Sequence, residues 1–140
     1  MIRLALLALA IALTGFHARG EDVKFKKDPG QPDLYKAMET GHLARPIAAL
    51  IREERLPHWV KGIGKNRNYV TAPGLLVEAP LPGAIVFKAC ETADCAERFE
   101  VMVTPHENHA FGVMIEGKNL RFVGHPKERT EAVLRAAIQQ

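Results

Sequence analysis

The spacing of apolar residues changes several times along this chain, and each change marks an element. Ten consecutive apolar residues, Leu4 to Leu13, are followed by a polar stretch that ends in Pro32. From there the pattern turns helical. Asp33 offers an N-cap for one or two turns before Gly41. Over residues 45–57, Ile47, Leu50 and Ile51 fall on one face, with Pro46 in the first turn and Leu56-Pro57 as the stop. Beyond a turn-rich segment the period drops to two. "AIVFKAC" (84–90) and "ERFEVMV" (97–103) alternate like half-buried strands, and Phe111, Val113 and Ile115 do the same in 109–117. Leu75–Val77 and 118–124 read as further strands, with a short one near Tyr69-Val70. The helical period returns in 126–140, where Val133, Leu134, Ala137 and Ile138 share a side behind Pro126. The strand connections are too short for helical crossovers, so the sheet is expected to be antiparallel. The fold class expected is α+β, a central antiparallel sheet of about five strands flanked by helices in a single domain.

The first apolar run has a further meaning. Arg3 precedes it and Ala18-Arg19-Gly20 closes it with small residues where a signal peptidase reads, so 1–20 is expected to be a secretory signal. The run is too short for a membrane-spanning helix, and no membrane insertion is expected. The charged segment 21–32 reads as a polar leader and 33–140 as the folded domain. Removing Arg3 and Arg19 lowers the net charge from +3 to +1, which takes away the basic excess that would suggest a nucleic-acid partner.

Export also decides how the two cysteines are read. Cys90 and Cys95 flank Glu91-Thr92-Ala93-Asp94, and exported cysteine pairs oxidise. A four-residue hairpin loop would set them opposite one another, with Cα atoms about 4.5–5.5 Å apart, which suits a disulfide. Such a ring stiffens the four residues between, and a stiff loop binds with less ordering left to do. Other chemistries fit less well. His106-x-x-His109 with the cysteines loosely mimics a zinc set, but an oxidised pair ligates nothing and "TPHENHA" reads as a loop. Gly62-x-Gly64 with Lys65 and Arg67 lacks the preceding strand of a phosphate loop. Trp59 reads as a core anchor. Glu91, Asp94 and Glu97 form an acidic tip. No nucleophile–base motif is present, so no catalytic residue, enzyme activity, metal or cofactor is expected.

Three stretches together carry a resemblance. "LPHWV" (56–60), then Thr71-Ala72-Pro73, then a strand running into "ACETADC" (89–95) resemble the inhibitor of vertebrate lysozyme (Ivy) family, over roughly Ile47 to Leu134. The resemblance implies a periplasmic protein that pushes a disulfide-closed loop into the active-site cleft of a c-type lysozyme. A lytic transglycosylase is a second implied partner, and a homodimer is consistent with it. It implies Cys90–Cys95 as the staple and Glu91, Thr92, Ala93 and Asp94 as the inhibitory loop. The family loop typically reads Lys-Pro-His-Asp. Here Asp94 is kept, Ala93 stands at the histidine position and Glu91 at the lysine position. A diverged member that binds another envelope protein is the alternative implied.

Overall fold

A computed structural model describes residues 22–140. The signal expected over 1–20 lies outside the described residues. Seven strands form one antiparallel sheet: β1 (Lys24–Lys27), β2 (Val70–Thr71), β3 (Leu75–Ala79), β4 (Ile85–Cys90), β5 (Glu97–Thr104), β6 (His109–Glu116) and β7 (Asn119–Val123). The spatial order is β1-β3-β4-β5-β6-β7, and β2 also pairs with β4, beside Cys90. Four helices complete the α+β unit: α1 (Leu34–Glu39), α2 (Gly41–Glu53), α3 (His58–Lys61) and α4 (Glu128–Ile138).

Alternation along the strands divides the core in two. One face of the sheet turns Phe87, Ala89, Phe99, Val101, Val103 and Met114 toward α1, α2 and α3, where Leu34, Ile47, Leu50 and Val60 meet them. The other turns Val77, Val86, Met102 and Val113 toward Val133, Leu134 and Ala137 of α4. Phe87 and Phe99 are fully buried. Each such side chain contributes about 1.5–3 kcal/mol by leaving water. The Asp33 carboxylate caps α1 by accepting from the Lys36 N–H at 3.0 Å.

Three expectations need correction. The sheet has seven strands rather than about five. β2 is the short strand expected near Tyr69-Val70, and the unforeseen strand is β1, which lies inside the segment read as a polar leader. Val23 and Phe25 pack against the second core cluster, and that anchorage is why the segment pairs with β3. Gly41 opens α2 instead of ending the preceding helix, so Pro46 is the sixth residue of α2 rather than in its first turn. Leu43, Pro46, Ile47, Leu50 and Ile51 make a buried stripe, and that burial outweighs the backbone bond the proline lacks.

Candidate functional site

β4 and β5 are the central pair of the sheet, and the chain turns between them through 91–96. The ladder closes at Cys90↔Arg98, so Cys95 is not the ladder partner that a four-residue hairpin would make it. Cys95 instead sits inside a longer loop at φ 53°, a left-handed conformation that turns its side chain back toward β4. The disulfide forms there, with Cα atoms 4.8 Å apart and a sulfur–sulfur distance of 2.11 Å. Cys90 is buried, while Glu91, Thr92, Ala93 and Asp94 are all exposed. The expected staple is present, but it constrains the loop from within rather than across the hairpin base.

Hydrogen bonds hold the loop further. The Cys95 N–H donates to the Thr92 carbonyl at 3.0 Å, and the Glu91 N–H to the Glu97 carbonyl at 3.2 Å. Asp94 is the internal acceptor: it takes the Thr92 hydroxyl at 2.5 Å and the Ala96 N–H at 3.2 Å. The Thr92 hydroxyl first, and then the Ala96 N–H, hold its carboxyl below the usual carboxylate range. Ala93 at the apex brings only a methyl group. The acidic tip is therefore Glu91 and Asp94.

Glu97 belongs elsewhere. It is half-buried, and its Oε2 accepts the Trp59 indole N–H at 2.8 Å. Trp59, read as a core anchor, is itself only half-buried and packs at the edge of the first core cluster. It braces the start of β5 from α3. The "LPHWV" segment and the cysteine loop thus meet in space, a link that neither stretch reveals alone. Val70, 45% exposed, pairs with Cys90 and flanks the loop with an apolar side chain.

The remaining candidates lie apart. His109 pairs with Thr104, at the opposite end of β5 from the disulfide, so the histidines and cysteines do not converge. Among the described residues no group of three or more His, Cys, Asp or Glu side chains is placed to hold a metal ion. Arg67 donates to Glu39 at 2.6 Å and lies over the Tyr35 ring, which occupies the charge read as phosphate-loop-like. A concavity of about 1120 Å³ also lies at the far end of the sheet, lined by Leu50, Glu54, His109, Phe111, His125 and Lys127 among others. No helix among the described residues is long and apolar enough to cross a membrane.

Sequence reading missed the charged centre of the sheet. Arg98, Glu100 and Met102 share the α4-facing side of β5, and Glu100 is only 2% exposed. Its signal was available: a carboxylate at an inward position of a buried alternating strand. No protein-family model matches the chain, and no curated protein is significantly similar to it.

Proposed function

We propose that this is an exported binding protein of Ivy type, acting without catalysis, that occludes the cleft of a c-type lysozyme or a related peptidoglycan-cleaving enzyme with residues 90–95. One observation carries the reading: the only disulfide closes an exposed loop at the end of the central strand pair, internally hydrogen-bonded and braced by Trp59. A stapled, protruding tip has little entropy left to lose on docking. Glu91 and Asp94 give it a negative face suited to a partner with a basic rim.

A second reading, a family-like protein that binds a different envelope partner, is favoured by Ala93. A lysozyme cleft pairs a carboxylic acid of raised pKa with an ionised carboxylate. A histidine can donate to both; an alanine methyl donates to neither. Inhibition curves against one c-type lysozyme decide between them. The natural sequence should inhibit weakly, and Ala93→His should tighten inhibition about ten- to hundredfold, the worth of one hydrogen bond to a charged group. If Ala93→His folds and changes nothing, the loop does not enter the cleft and the second reading stands.

A further inference from the structure

Glu100 sits in the middle of β5, facing α4, with 2% of its surface exposed. A carboxyl group this deep ordinarily collects several donors. Here Oε2 has no hydrogen-bond partner in the protein, and Oε1 is 3.8 Å from Arg98 Nε, outside bonding reach; that Nε is unpartnered too. The Arg98 guanidinium is engaged elsewhere. Its Nη2 donates at 2.8 Å to the carbonyl of Ile138, the last residue of α4. Between the carboxyl and the end of that helix lies a cavity of about 100 Å³, whose lining includes Lys27, Val86, Lys88, Ala137 and Gln140.

The surroundings of Glu100 can be taken element by element. β4 supplies Lys88, its cross-strand partner. β5 supplies Arg98, and β1 supplies Lys27 across the cavity. β6 sets Val113 opposite, β3 sets Leu75, α4 sets Ala137, and Gln140 follows just past the helix, all with uncharged side chains. Every charged side chain at the site is therefore cationic, yet none is hydrogen-bonded to the carboxyl.

We propose that Glu100 and Arg98 form a proton-operated latch on the C-terminal turn of α4. With Glu100 protonated, no charge competes for the guanidinium, and Arg98 holds the Ile138 carbonyl. Loss of the proton leaves a buried carboxylate short of donors, a costly state that draws Arg98 and cavity water toward it. The last turn of α4 then loses its tie to the sheet. Burial, the dominant cause, pushes the Glu100 carboxyl up to about 7 against the downward pull of Arg98 and Lys88. The latch therefore works in the neutral range. It is a property of the fold and stands whether or not loop 90–95 docks into an enzyme.

The test is amide hydrogen exchange at residues 136–139, corrected for the intrinsic effect of pH, alongside the ¹³Cδ shift of Glu100. In the natural protein, protection of that turn should fall about tenfold between pH 6 and pH 8, the effect of one pK unit of coupling. The fall should share its midpoint with the Glu100 titration. Glu100→Gln keeps the shape without the charge and should hold the turn protected at both pH values. Arg98→Met should leave it open at both. The latch is overturned if Glu100 titrates near the ordinary carboxylate range, or if Glu100→Gln shows the same pH-dependent loss as the natural chain.

Discussion

Gly112 leaves no room for a side chain between Phe99 of β5 and Val123 of β7, and adding one methyl group there measures how rigid that face of the sheet is. The residue lies on β6 opposite Val101. A Cβ at this position would come within 2.8 Å of Phe99 Cε2, 3.0 Å of Phe99 Cζ and 2.9 Å of Val123 Cγ2. Its backbone is not left-handed, so Gly112→Ala carries no conformational strain and gains about 0.4–1 kcal/mol by restricting the unfolded chain. Against this stands overpacking of two fully or almost fully buried side chains, Phe99 at 0% and Val123 at 2% exposure. Overpacking costs about 1–3 kcal/mol, and the Phe99 ring, enclosed by α1, α2 and their neighbours, has no free direction in which to yield. The net expectation is a loss of about 1–2 kcal/mol in urea unfolding. Phe99→Leu should be less damaging in the Gly112→Ala background than alone, with a coupling of at least about 0.5 kcal/mol. A neutral or stabilising Gly112→Ala, or strictly additive effects, would refute a close-packed contact between ring and glycine.

The buried carboxyl makes global stability depend on pH. Its native pKa of about 7 lies above the ordinary 4.5, so the native state binds the proton more tightly. Stability should fall as pH rises from about 4.5 to about 7, by up to about 3 kcal/mol, and level off above. Urea titrations at several pH values should show this slope in the natural chain and not in Glu100→Gln. Trp59→Phe removes the donor to Glu97 while keeping an aromatic ring; with both partners half-buried, the expected cost is about 1 kcal/mol. Faster amide exchange at residues 95–97 should accompany it, and unchanged exchange there would show that Trp59 does not brace the loop. Thr92→Val removes the leading cause of the lowered Asp94 pKa, so its NMR titration midpoint should move up toward that of an ordinary aspartate. An unmoved midpoint would assign the shift to the Ala96 N–H instead.

What the sequence revealed and concealed follows from how far each signal reaches. Period-two alternation in 84–90, 97–103 and 109–117 identified β4, β5 and β6 because each buries side chains on its inward positions over its own length. β1 was hidden because Phe25 stands alone among lysines; only the contact with β3 reveals it as a strand. The start of α2 was hidden because Gly41 reads locally as a stop and Pro46 as a first-turn residue, and both signals are overridden by a stripe buried against the sheet. At the site, the cysteine spacing indicated a staple, but a ladder partner at Arg98 and a left-handed Cys95 depend on the loop's full length. The Trp59–Glu97 bond joins residues 38 apart in sequence, and no periodicity encodes it.

The strand order leaves two unequal borders. At one, β1 presents Lys24, Lys26 and Lys27 to solvent, so another chain that adds a strand there must approach a row of like charges. At the other, β7 exposes Leu120, 39% open, beside Arg121. The short lysine strand thus acts as a gatekeeper for the whole sheet. It covers β3, whose Leu75, Leu76 and Val77 would otherwise form an apolar border. Trimming the chain to residue 33 as a dispensable leader would remove that guard and open a second route to edge-to-edge aggregation. In the intact protein, strand addition is left mainly to β7.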